Sequence, residues 1–296
     1  MFRRLCAFPL TPISEQGVDE GAYLKLIARL VTAKADAIGV LGSTGSYAYL
    51  TLKQRARLVR LAVDAAENTP VITSIGALST HDVLCALEDA QQAGVSGVLL
   101  APVSYQKLTE DEVFTLYRTV ATGLSVPLCI YENPATTQFH FSDELFLRLT
   151  ELPGVQSIKL SGGLPQPALS AVRVQTLREM LPESVSLGIS GDAYAVEGLI
   201  SGCQVWYSVI GGLFPQLALK MIHLVEQGMP EEAKQFSSQL EPLWAMFREH
   251  GSLRVVATAA EILGLAEQNC LPLPLKSLQG AQRSALSDML SHLSLG

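Results

Sequence analysis

Charge is scarce in this chain. Only 17% of its 296 residues are Asp, Glu, Lys or Arg, and the balance is acidic, at −7. That balance disfavours nucleic acid or an anionic membrane as the main partner. Nowhere do about 18 uncharged apolar residues run together, so no membrane-spanning helix is expected. The opening MFRRLCAFPLTP carries an apolar patch cut by Pro9, too short for the core of a signal peptide. A cytoplasmic protein is the resulting expectation. The five cysteines (Cys6, Cys85, Cys129, Cys203, Cys270) are odd in number, scattered and without a CxxC pair. Reduced core thiols fit that pattern better than disulfides or a metal site. The five histidines have no paired ligand spacing, so no metal is implied. There is no linker or low-complexity segment, and no GxGxxG follows the first apolar run, where PLTPISEQG stands instead. The last absence argues against the open doubly wound sheet, the main architectural rival.

What is present is alternation. Short apolar runs fall at LCAFPL (5–10), AIGVLG (37–42), PVITSIG (70–76), GVLLAP (97–102), VPLCIYE (126–132), VQSIKLS (155–161), VSLGIS (185–190) and VWYSVIG (205–211). They are continuous rather than alternating, as parallel strands covered on both faces are. Amphipathic stretches separate them. VDEGAYLKLIARLVTAK places Tyr23, Leu24, Ile27, Leu30 and Val31 on one face, and TLKQRARLVRLAVDAAEN repeats the device. THDVLCALEDAQQAG opens on a threonine cap and closes on a glycine. Eight strand–helix units predict an α/β fold, a (β/α)8 barrel over residues 1–228. Residues 229–296 read as helix upon helix with no further strand, a C-terminal helical region packed on the barrel.

A barrel places its chemistry at the C-terminal ends of the strands. At those ends stand GSTGS (42–46), Tyr131-Glu132-Asn133, Lys159, Ser190-Gly191-Asp192, and Ser208 with Gly211-Gly212. Of the eight lysines, only Lys159 lies inside an apolar strand. Such a lysine can pack its stem on apolar neighbours and send its head to water. It can also be an amine nucleophile that forms a Schiff base with a carbonyl substrate. Attack needs the neutral amine, and an apolar wall is the device that frees the lone pair of an ordinary lysine near pH 7. Tyr131, on the neighbouring strand, is a candidate proton shuttle, although a lone strand-end tyrosine more often packs. Ser43 and Thr44 offer hydroxyls, and Gly42 and Gly45 leave room for backbone N–H groups to face a carboxylate. The alternative is a plain turn into the helix near Thr51. The loop lacks the lysine and spacing of a P-loop.

GSTG after strand 2, Tyr131 with Pro134 after strand 5, the IK of strand 6 and SGD after strand 7 together resemble the dihydrodipicolinate synthase/N-acetylneuraminate lyase superfamily. The resemblance covers the whole chain, from FPLTP to the helical tail. It implies a class I aldolase or lyase on a TIM barrel, a homotetramer or homodimer. Its substrates would be pyruvate or another 2-keto acid and an aldehyde, and the covalent lysine Schiff base takes the place of a cofactor. It further implies Lys159 as the Schiff-base lysine, Tyr131 as the proton shuttle, and Ser43 and Thr44 as the holders of the keto-acid carboxylate. Thr44 is also similar to a proton-relay hydroxyl, and Ser208 falls where the family lines the pyruvate pocket.

The departures from the family pattern are specific. Thr136 stands where the synthases carry an arginine for the aldehyde's carboxylate, and a threonine has no guanidinium fork. Val103 and Ser104 stand where aromatic residues are expected, and Tyr105 substitutes for the cross-subunit tyrosine only with a one-residue shift. Ser46 replaces the usual acidic residue. Leu160 replaces a carboxylate that many members carry after the lysine, and is expected to make the wall around the amine more apolar. Leu52 and Arg55 replace histidines associated with lysine feedback, so no lysine inhibition is expected. His140, after the strand 5 loop, is a lesser candidate for substrate contact. The expectation is therefore a lyase or aldolase whose aldehyde is not aspartate semialdehyde. The alternatives are a true 4-hydroxy-tetrahydrodipicolinate synthase and a silent barrel that binds 2-keto acids.

Overall fold

The computed structural model describes residues 2–162, 167–293 and 295. Eight parallel strands close into a barrel: β1 (Arg4–Ala7), β2 (Ala37–Val40), β3 (Val71–Ser74), β4 (Gly97–Leu100), β5 (Leu128–Tyr131), β6 (Val155–Ser161), β7 (Ser186–Ser190) and β8 (Val205–Ser208). Each pairs with its sequence neighbours, and β1 pairs with β8 to complete the ring. All eight coincide with the apolar runs of the sequence. Alternating with them are α1 (Glu20–Thr32), α2 (Leu52–Ala65), α3 (Thr80–Gln92), α4 (Glu110–Ala121), α5 (Asp143–Thr150), α6 (Pro167–Met180), α7 (Ala195–Ile200) and α8 (Pro215–Glu226).

The helix boundaries follow from capping chemistry. Thr51 closes a capping box with Gln54 at the start of α2, and Thr109 does the same with Glu112 for α4. Each box satisfies two otherwise unpaired backbone donors. At α3 the cap is Ser79, whose hydroxyl accepts the Asp82 N–H, and the expected Thr80 is the first helical residue. Ser79 wins because its own backbone is extended while its side chain reaches the third residue along.

Alternation along each strand divides the apolar residues into two sets. Outward-facing Ile38, Val98, Leu128, Ile130, Ile158, Leu160, Leu187 and Ile189 join the helices in one continuous core. Inward-facing Cys6, Phe8, Ala37, Ile72, Leu99, Cys129, Tyr131, Val205 and Tyr207 fill the barrel. After the barrel come α9 (Pro230–Gln239), α10 (Glu241–His250), α11 (Ser252–Ile262) and α12 (Gly280–His292), with no strand among the described residues beyond Ser208. Their buried Ala233, Leu243, Trp244, Val255, Val256, Leu286 and Leu290 belong to the same core as the barrel helices. No helix among the described residues is long and apolar enough to cross a membrane.

Candidate active site

Lys159 and Tyr131 are register partners on adjacent strands and both point into the barrel. Lys159 is 6% exposed. Its Nζ lies 3.8 Å from the centroid of the Tyr131 ring, 4.7 Å from that of Phe8 and 5.9 Å from that of Tyr207. The wall around the amine is thus aromatic rather than aliphatic, and aromatic faces attract a cation. Leu160 is no part of it. As the residue after Lys159 it faces outward into the helix-packed core, so the expected contribution of Leu160 to that wall is corrected.

Glycines inside the strands make room for the rings. A Cβ on Gly39 would fall 2.4 Å from the Phe8 ring, and one on Gly188 would fall 2.3 Å from the Tyr207 ring. The Tyr207 hydroxyl bonds Ser157 Oγ at 2.7 Å and Cys129 Sγ at 3.3 Å, which fixes the ring beneath the lysine. Burial pushes the Cys129 thiol up to about 11 and the Cys6 thiol higher still, so both are packing groups rather than nucleophiles.

The Tyr131 hydroxyl is held on two sides. Asn133 Nδ2 donates to it at 2.8 Å, and Ser43 Oγ shares a 3.0 Å hydrogen bond with it. Burial pushes this phenol up, but the charge of Lys159 and the bonds from Ser43 and Asn133 outweigh burial and hold it below the usual tyrosine range. Thr44 is buried beside Ser43 at the end of β2. The loop owes its shape to residues other than the expected glycines. Leu41 and Ser46, both at φ 54°, supply the left-handed turns that bracket GSTG. Gly42 and Gly45 serve close approach instead. A Cβ on Gly42 would meet the Phe8 ring at 2.7 Å, and one on Gly45 would meet the Leu41 backbone at 2.8 Å. Left-handed backbone at a buried leucine is uncommon and stores strain of order 1 kcal/mol at the rim.

Ser208 is buried and its hydroxyl is engaged. It donates to Asp192 Oδ1 at 2.9 Å and accepts the Gly211 N–H at 2.8 Å. Asp192 also accepts from Trp206 Nε1, the Val209 N–H and the Ile210 N–H. Burial raises its carboxyl above the usual range despite these four donors. The SGD motif therefore acts through Asp192, which pins the loop after β8, with Ser208 as one of its supports.

Two expected residues stand apart from this cluster. Thr136 is exposed on a short helix, Pro134–Thr137, and its hydroxyl donates to the Asn133 carbonyl. Tyr105 is 91% exposed and reaches no site residue within the chain. His140 is exposed as well. Arg55 is buried, donating to the carbonyls of Ser74 and Gly76 with its guanidinium 5.3 Å from the Tyr47 ring. Glu132, Asn133 and Asp192 were placed at the rim from sequence without a role, whereas Phe8 and Tyr207 were not singled out, although glycines inside strands were a legible sign of close approach. Among the described residues, no group of three or more His, Cys, Asp and Glu is placed to hold a metal.

A buried lysine beside a tyrosine at the C-terminal mouth of a (β/α)8 barrel fits a class I aldolase, and the chain is a lyase of that type. The chain belongs to the dihydrodipicolinate synthetase family, which it matches over residues 1–293. It is 28% identical over 298 residues to the 4-hydroxy-tetrahydrodipicolinate synthase of Persephonella marina, covering 100% of this chain and 99% of the relative. It is 29% identical to the synthase of the same name from Thiobacillus denitrificans, covering 97% and 95%. Among solved structures it is similar to a dihydrodipicolinate synthase from Agrobacterium tumefaciens, at 40% identity and a TM-score of 0.95, covering 99% of this chain and 98% of that one. The dihydrodipicolinate synthase from Aquifex aeolicus is similar at 25% identity and a TM-score of 0.92, covering 100% and 99%.

Proposed function

We propose that this lyase works through a Schiff base between Lys159 and a 2-keto acid, pyruvate first among them. The observation that carries the reading is the Lys159–Tyr131 pair: a buried amine 3.8 Å from the ring of a phenol whose hydroxyl is bonded by Ser43 and Asn133. The neutral amine adds to the keto carbon, and the carbinolamine loses water to give an iminium. Tyr131 moves the protons of addition and dehydration, with Ser43 and Thr44 as its relay. Ser43, Thr44 and the N–H groups of their loop hold the keto-acid carboxylate. Loss of a proton from the adjacent carbon gives an enamine, which attacks an aldehyde to form the carbon–carbon bond, and the reverse sequence breaks it. No cofactor is needed, because the iminium is itself the electron sink.

Two identities for the aldehyde compete. The names of the relatives favour 4-hydroxy-tetrahydrodipicolinate synthase, with aspartate semialdehyde as second substrate, and this is the better supported of the two. The other identity, an aldolase for a different aldehyde, rests on Thr136, which offers no guanidinium for a second carboxylate. The reading would have Tyr105, which is 91% exposed, meet a second copy of the chain in a homodimer or homotetramer and complete the relay there, with a one-residue shift from the family pattern.

Incubation with pyruvate and borohydride tests the Schiff base. A mass adduct on the Lys159 peptide is expected, and Lys159→Ala is expected to abolish it. Wild-type protein that gains no adduct with pyruvate or a panel of 2-keto acids would refute the mechanism. A coupled assay with pyruvate and aspartate semialdehyde settles the aldehyde: turnover at a rate ordinary for an enzyme (about 1–10³ s⁻¹) selects the synthase, and none selects the alternative.

A further inference from the structure

Leu160, directly after the lysine, brings no charge to the site. A carboxylate is nevertheless present one strand away. Glu132 directly follows Tyr131, the last residue of β5, and, like Leu160, faces away from the barrel interior. It is buried. Its backbone N–H donates to the Lys159 carbonyl at 3.1 Å, so the two strands stay paired one step beyond the catalytic pair.

The two carboxylate oxygens do different things. Oε2 accepts the Ser161 N–H at 3.3 Å, two residues past Lys159. Oε1 meets Arg173 of α6 at 3.3 Å. The same guanidinium donates to the Phe141 carbonyl at 3.4 Å and lies 3.6 Å from Asp143. Glu132 thereby ties four pieces together: the end of β5, the end of β6, the loop that carries Asn133 and Thr136, and helix α6. Only the first two carry Tyr131 and Lys159, and both are spanned by this one side chain.

We infer that Glu132 is a positioning residue for the reaction, fixing the separation of Lys159 and Tyr131 through Ser161 while Arg173 holds its charge. It touches neither the substrate nor the reacting atoms. The inference rests on the Schiff-base reading, because the distance it fixes matters only if these two side chains act on one substrate. A displacement of about 1 Å between reacting groups can cost on the order of 100-fold in rate. A buried carboxylate that holds a strand end is therefore placed to govern the rate without entering the chemistry.

The test is borohydride capture of pyruvate by Glu132→Ala and Glu132→Gln, reading the rate of adduct formation separately from its final amplitude. The amplitude counts folded sites, and the rate reports geometry. Glu132→Ala is expected to capture about 10- to 100-fold more slowly per folded site. Glu132→Gln keeps an acceptor for the Ser161 N–H and is expected to recover most of that rate. A wild-type rate per folded site in the alanine variant, with only the amplitude reduced, would reduce Glu132 to a stability role and overturn the inference. A glutamine variant as slow as the alanine variant would overturn the acceptor role of the carboxylate. If wild-type protein itself gives no adduct, the Schiff-base reading falls and takes this inference with it.

Discussion

Replacing Tyr131 by phenylalanine removes one oxygen and leaves the ring that packs on Lys159. The structure assigns two hydrogen bonds to that oxygen, at 2.8 Å from Asn133 and 3.0 Å with Ser43. Each is worth about 1 kcal/mol net, and Asn133 is half-exposed, so water can replace its lost partner. The stability cost is therefore about 1–2 kcal/mol. In a chain of this size that is a fall of only several degrees in melting temperature, at about 2–4 °C per kcal/mol. The chemical cost is larger, because a positioned proton donor and acceptor contributes about 10²–10⁴-fold. Tyr131→Phe should thus fold, melt cooperatively a little below wild type, and form the pyruvate adduct at least about a hundredfold more slowly. Circular dichroism melts and timed borohydride quenches measure the two effects independently. A variant that captured pyruvate at the wild-type rate would refute the assignment of proton transfer to this phenol. A variant that failed to fold would refute the placement of the hydroxyl at the edge of the core.

Two further outcomes follow from packing and burial. Gly188→Ala places a Cβ 2.3 Å from Tyr207 Cε2 and 2.9 Å from Val205 Cβ, while Ser157 ties down the far end of the Tyr207 ring. It should cost about 1–3 kcal/mol in urea unfolding and slow adduct formation, since the floor under Lys159 has to move. Gly123→Ala, whose nearest neighbour would be at an ordinary 3.6 Å, should be near neutral, and equal costs for the two would refute the packing account. The second outcome concerns alkaline stability. Burial pushes the Cys203 thiol up to about 12 from its ordinary value of 9.0, with Arg178 opposing it. A group raised on folding contributes stability that is complete below its unfolded value and is lost as pH rises through its folded one. Between roughly pH 9 and 12 this thiol should cost about 1.4 kcal/mol per pH unit. Cys203→Ala should therefore flatten the fall of unfolding free energy over that window, and an unchanged slope would contradict it.

The barrel was legible because its signal is periodic and local. Eight apolar runs at regular intervals, each followed by an amphipathic helix, admit few architectures, and strand register places Lys159 and Tyr131 side by side once the barrel is granted. What sequence did not supply was direction and occupancy. Leu160 looked like part of the lysine's wall because it is adjacent in sequence, whereas in a strand adjacency means the opposite face. Gly42 and Gly45 were legible as residues that leave room, but the left-handed conformations of Leu41 and Ser46 on either side of them were not. Ser208 looked free to meet substrate, and only the three-dimensional contacts reveal that Asp192 and Gly211 use both ends of its hydroxyl. The aromatic cage was invisible for a different reason. Tyr131 and Tyr207 come from β5 and β8 and Phe8 directly follows β1, and nothing local in any of the three segments records the other two.

That cage changes the argument about how the amine becomes reactive. An aliphatic wall would work by making the ammonium costly. Three aromatic faces do the opposite and attract the cation. In the proposed reaction this attraction is not a handicap at equilibrium, because ammonium plus ketone gives iminium plus water with no change in charge. The positive charge stays within a bond length of where it began, and rings that favour the starting cation favour the product cation as well. The difficulty is confined to the moment of attack, when the proton has to be elsewhere. The group best placed to take it is Tyr131, whose ring lies against the amine and whose hydroxyl is held by Ser43 and Asn133. On this account the capture step depends on the Tyr131 hydroxyl to carry the proton away from the amine and back. The rate of imine capture should then respond far more to loss of the Tyr131 hydroxyl than the equilibrium amount of imine does.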